Sequence, residues 1–103
     1  MNFSDEIDLI VHEYRQDADH NQYPVDTKRR VFCDVLSVGR SEYYAAAQTD
    51  LRPEHVFRLY SADYNGEKEV EYQDMRYTVV RTYAPKNKDK VDLTCERKVG
   101  NEG

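Results

Sequence analysis

The chain has 103 residues, enough for one domain with a modest core and too few for two. Hydrophobic residues at 39%, among them nine tyrosines and three phenylalanines, argue against disorder, while 34% charged residues and a mean hydropathy of −0.95 describe a chain with much wetted surface. A formal net charge of −5 weighs against nonspecific nucleic-acid affinity, which rests on Lys and Arg neutralising phosphates.

Taken in order, Met1 to Glu6 lacks the basic flank and apolar run of a signal peptide, and no stretch is apolar for long enough to cross a bilayer. A cytoplasmic chain without membrane partners is expected. Glu6 to Tyr14 alternates, Ile7, Leu9 and Val11 against Asp8, Ile10 and His12, which predicts a strand with His12 exposed. Gln16 to Pro24 is polar and rich in turn formers, so a hairpin loop of some length is expected there. A long second strand follows from Thr27 to Ser37.

The strand pattern then changes within a few residues into a helix pattern. Gly39 supplies a permissive exit, Ser41 is a candidate N-cap with Glu42 in the first turn, and the alanine run carries a short helix over about 41–49. Pro53 ends it, since proline restricts Arg52 to extended geometry.

His55 to Ala62 reads as a third strand with bulky apolar groups on both faces, hence covered on two sides or bent. Asn65-Gly66 is a strong turn signal and predicts a tight hairpin returning through Lys68 to Tyr72. Gln73-Asp74 predicts a second reversal into Met75 to Tyr83. After a loop over Ala84 to Lys90, Val91 to Glu96 gives the cleanest alternation in the chain, and 98–103 reads as a frayed end. Six short strands with one helix predict a mainly β protein, a small antiparallel barrel forming a single domain over 1–103, because closure removes exposed edges.

Cys33 and Cys95 fall on apolar strand faces and read as buried free thiols rather than a disulfide. His12, His20 and His55 show no ligand-pair spacing, and no nucleophile or carboxylate pair sits in a supporting motif. No metal, cofactor or enzyme activity is expected. The basic spots Lys28-Arg29-Arg30 and Lys86 to Lys90 read as solvated segments.

A run of words in order along nearly the whole chain carries a resemblance: Asp5-Glu6-Ile7, Arg30-Val31-Phe32-Cys33, Ser37-Val38-Gly39-Arg40-Ser41-Glu42-Tyr43-Tyr44, Leu51-Arg52-Pro53-Glu54, Tyr64-Asn65-Gly66-Glu67, Val80-Arg81-Thr82-Tyr83 and Leu93-Thr94-Cys95-Glu96. Together they resemble the head-tail adaptor, or head closure, proteins of tailed bacteriophages and prophages. The resemblance implies a small β-barrel that self-associates into a ring beneath the portal, joins the DNA-filled head to the tail and, in some members, plugs the channel until the tail is fitted. It also implies portal or adaptor ring proteins and tail completion proteins as partners, in the host cytoplasm during assembly and then in the virion neck. Duplex DNA would pass through the channel without specific binding.

The family offers no catalytic residues, so the candidates are interface residues chosen by chemistry. Arg40 beside Tyr43 and Tyr44 combines the residue types typical of interface hot spots. Arg58 and Tyr60 on the two-faced strand, and Tyr64, Asn65 and Gly66 at the expected hairpin, complete the set; a projecting hairpin can add to a neighbour's sheet. Packing of the tyrosines and a plain loop at Asn65-Gly66 are the structural alternatives. From another class, a small nucleic-acid-binding barrel of OB or SH3-like type would use tyrosines as stacking platforms, against which the acidic balance argues.

Overall fold

The computed structural model describes residues 3–40, 44, 45, 48, 49, 51–85 and 88–98. Six strands are present: β1 (Asp5–Gln16), β2 (Gln22–Leu36), β3 (Pro53–Tyr60), β4 (Glu69–Tyr72), β5 (Met75–Tyr83) and β6 (Lys90–Arg97). They close into an antiparallel barrel in the order β1-β2-β3-β6-β5-β4. The expected fold class therefore holds.

Period-two patterning explains the core. Ile7 and Leu9 of β1, Val31 and Cys33 of β2, Phe57 and Leu59 of β3, Val70 of β4, Tyr77 of β5, and Val91, Leu93 and Cys95 of β6 meet in one buried cluster. Its aromatic centre is Phe57, whose ring stands edge-on to Tyr72 at 5.3 Å and Tyr77 at 6.0 Å between centroids, a favourable quadrupole geometry. Both cysteines are buried free thiols, and burial pushes each up to about 12, so they stay protonated at neutral pH.

Outside the core parity, charges pair across strands. Asp8, Ile10 and His12 of β1 stand opposite Arg30, Lys28 and Asp26 of β2, while Asp8 and Ile10 also face Glu71 and Glu69 of β4. Arg30 grips Asp8 with two hydrogen bonds, Nε to Oδ1 at 3.0 Å and Nη2 to Oδ2 at 3.3 Å. Lys28 Nζ lies 2.6 Å from Glu71 Oε1 as a charge contact. Glu69 receives Arg76 Nη1 at 3.1 Å and Lys98 Nζ at 2.7 Å. Burial works to raise the Glu69 carboxyl, but these hydrogen bonds and the Lys98 charge outweigh it and hold the group below its usual value.

Three sequence expectations are corrected. Asn65-Gly66 does not make a two-residue hairpin, because β3 and β4 are not neighbours: β3 already has β2 on one edge and β6 on the other. After Tyr60 a 3-10 turn, Ser61–Asp63, diverts the chain toward β4, and only Gly66 of the pair takes a positive φ, 88°. The tight reversal with two positive-φ residues is Gln73-Asp74, φ 51° and 65°, between the paired Tyr72 and Met75.

Secondly, the loop expected over Gln16 to Pro24 shrinks to residues 17–21, and β2 starts at Gln22. Asp17 explains the shortening: its carboxylate accepts from the amides of Asp19 and Asn21, both at 2.9 Å, and His20 takes φ 66°. Pro24 is tolerated because β2 pairs with β3 only through Asp34–Leu36, leaving an open edge beside the proline. Thirdly, Lys98 of the expected frayed end 98–103 is held, its amide donating to the Arg76 carbonyl at 2.9 Å, and 99–103 lie outside the described residues. The helix expected over 41–49 falls mainly outside the described residues; of those described, Arg40, Tyr44 and Ala45 are helical and Gln48 and Thr49 form a turn.

Candidate interaction site

The longest pairing in the barrel produces its most exposed feature. β1 and β2 stay in register from Asp5 opposite Cys33 to Gln16 opposite Gln22. Yet β1 pairs with β4 only through Asp8–Ile10, and β2 pairs with β3 only through Asp34–Leu36. Beyond Val11 and Thr27 the two strands therefore run on as a ribbon with two open edges, and every residue of 12–24 is exposed. Five residues per strand project it roughly 16 Å.

A bare two-stranded ribbon is marginal in water. Here the register is imposed from the barrel at one end and by the Asp17 turn at the other, with His12 Nδ1 meeting Asp26 Oδ1 at 2.6 Å between them. Tyr14 stands opposite Pro24 on one face, and Tyr23 opposite Arg15 on the other. Tyr14 is 72% exposed and Tyr23 43%, so the ribbon carries aromatic area that its own chain leaves uncovered. Four carboxylates, those of Glu13, Asp17, Asp19 and Asp26, against Arg15 make it acidic.

A second surface lies on the outer face of β3, β6 and β5, centred on β6, the strand three places from β1 in either direction round the barrel. Arg58 of β3 donates to Asp92 of β6 through Nε at 2.7 Å and Nη2 at 3.0 Å. Lys90 Nζ stands 5.4 Å from the centroid of the Tyr60 ring, whose edge also meets Phe3 at 4.6 Å. Tyr83, 62% exposed, is opposite Asp92, and the adjoining groove is lined by Arg58, Pro85, Lys88, Lys90 and Asp92. This surface is basic and aromatic.

At the base of the ribbon, the crossing segment after β3 is tied to β2. Arg29 Nη2 donates to the Asp63 carbonyl at 2.7 Å and to Glu67 Oε2 at 2.9 Å. Burial tends to raise the Glu67 carboxyl, but the hydrogen bonds from Arg29 and from the amide of Asn65 hold it lower than usual. Tyr64 donates through its hydroxyl to the Glu67 carbonyl at 2.7 Å, and burial raises its phenol.

The candidates chosen from sequence are thus dispersed. Arg58 and Tyr60 share the basic face; Tyr64, Asn65 and Gly66 lie together in the crossing segment, where Tyr64 packs against the core and Asn65 and Gly66 are exposed. Arg40 and Tyr44 are exposed after β2, and Tyr43 lies outside the described residues. Sequence reasoning missed Tyr14, Tyr23 and Tyr83. The available signal was that the apolar side of the first strand stops at Val11 while the strand pattern continues.

Among the described residues no three His, Cys, Asp or Glu side chains are placed to hold a metal ion, and no helix is long and apolar enough to cross a membrane. No protein-family model matches the chain, and no curated protein matches it either.

Proposed function

We propose that this chain is a virion assembly protein of a tailed bacteriophage or prophage, a ring subunit that joins the DNA-filled head to the tail and works by docking rather than catalysis. Its partners are portal-side ring proteins, tail completion proteins and further copies of itself. The observation that carries the reading is the acidic β1–β2 ribbon, which stands off the barrel with Tyr14 and Tyr23 uncovered and both edges open. The ordered series of words shared with head closure proteins supports it, as does the barrel that such a protein would use.

The charge balance fits a channel. A duplex carries one phosphate charge per about 1.7 Å of axis, so a basic lumen would retain it and an acidic one would let it slide. At −5 the chain can present carboxylates to the lumen while its basic face meets acidic neighbours. Mixing the purified chain with the cognate portal complex and imaging by electron microscopy should show an added ring, and absence of any association would remove the reading. Tight binding of the isolated chain to duplex DNA at low salt would favour a nucleic-acid-binding barrel instead.

A further inference from the structure

We propose that copies of this chain assemble head to tail, the β1–β2 ribbon of one copy seating against the basic, tyrosine-bearing outer face of β3, β6 and β5 on the next; this rests on the ring reading above and supplies its contact.

Three observations lead there. The ribbon's carboxylates at Glu13, Asp17, Asp19 and Asp26 outnumber its single arginine, whereas around the facing groove Arg58, Arg81, Lys88 and Lys90 outnumber Asp89 and Asp92. Opposite potentials favour this pairing and disfavour ribbon against ribbon, which would bring like charges together. Both surfaces also carry exposed tyrosine, Tyr14 and Tyr23 on one and Tyr83 with the partly covered Tyr60 on the other, the residue type that anchors interfaces.

Position supplies the third. β6, at the centre of the acceptor face, is three strands from β1 both ways round the closed order β1-β2-β3-β6-β5-β4, so the ribbon and the face centred on β6 are two different patches of one subunit. Two different patches placed that way make a heterologous contact, which propagates and closes into a ring where the rotation allows. A contact between charged surfaces also weakens with salt.

The test uses the full chain with Ala18→Cys at the ribbon tip in one preparation and Lys88→Cys beside the groove in another, the native thiols being buried. Mild oxidation is applied at high protein concentration and low salt, and again on the portal complex. The equimolar mixture should give at least tenfold more disulfide dimer than either preparation alone. Dimer formed chiefly by Ala18→Cys alone, or no mixed dimer under either condition, overturns the proposal.

Charge reversal gives a second readout. Glu13→Lys with Asp19→Lys, and separately Lys88→Glu with Lys90→Glu, should each abolish self-association while leaving the unfolding midpoint in place, and mixing the two should restore it. Failure of the mixture to associate while each variant is folded counts against the contact. Rings on the portal complex without the mixed disulfide would sink this contact alone; the mixed disulfide without portal association would sink the proposed function alone.

Discussion

Arg29 and Glu67, 38 positions apart, meet at 2.9 Å, and through them the crossing segment between β3 and β4 is fastened to β2. The Glu67 side chain is 7% exposed against 37% for Arg29, so the carboxylate is the member that depends on its partner. Removing the guanidinium takes away the counter-charge and the donor to Oε2, leaving only the Asn65 amide on Oε1, and Arg29→Met should cost about 1–3 kcal/mol in urea unfolding. The pH dependence has a definite sign. Because the Glu67 carboxyl sits below its ordinary value of 4.5 in the folded chain, its contribution is present above that value and is lost as pH falls through the lowered one. Arg29→Met should therefore flatten the acid limb of the stability profile; an unchanged limb would show that Arg29 does not hold Glu67 down.

Ile10 points to the outer row of β1 yet is 1% exposed, whereas Phe32, on the outer row of β2, is 59% exposed. The difference comes from neighbours: Ile10 lies between Lys28 and Glu69, whose side chains flank it on both sides, while Phe32 has only Glu6 opposite. Ile10→Ala should destabilise the chain by about 2–4 kcal/mol. Phe32→Ala should fall within about 0.5 kcal/mol of the parent. Equal costs in thermal or urea unfolding would contradict the burial on which the distinction rests.

Gln73 and Asp74 both adopt left-handed backbone, φ 51° and 65°, in a turn that asks for residues without that strain. Replacing the pair by Asn-Gly should stabilise the barrel by about 0.5–1 kcal/mol, seen as a rise of a few degrees in Tm. A fall in Tm would mean that the glutamine or aspartate side chain makes a contribution larger than the backbone relief.

The ribbon contributes no side chain to the core cluster. Joining His12 to Asp26 by Asn-Gly, in place of 13–25, should keep the barrel's unfolding free energy within about 1 kcal/mol while removing self-association in sedimentation velocity. Loss of folding would mean that the ribbon is part of the cooperative unit.

Much of the barrel was legible locally. Ile7 and Leu9, Val31 and Cys33, and Leu93 and Cys95 alternate with polar neighbours, and period two alone sends such residues to one face of a strand. The same rule placed both cysteines and left His12 exposed. Arg58 and Tyr60 were also reachable, being the Arg and Tyr of a strand with apolar groups on both faces.

Pairing partners were not legible, because a strand's alternation says which face is buried and nothing about which strand lies alongside. Asn65-Gly66 has the composition of a hairpin, but both edges of β3 were already occupied, so the same residues became part of a crossing segment. Likewise the reach of the ribbon depends on where β3 and β4 stop pairing with β2 and β1, a property of four strands at once. Composition and periodicity determined that this chain is a small acidic barrel; the tertiary structure decided that Tyr14 and Tyr23 stand clear of it and that Arg58, Tyr60 and Tyr83 gather around Asp92 and Lys90 on one outer face, because neighbour choice is settled by closure of the whole sheet.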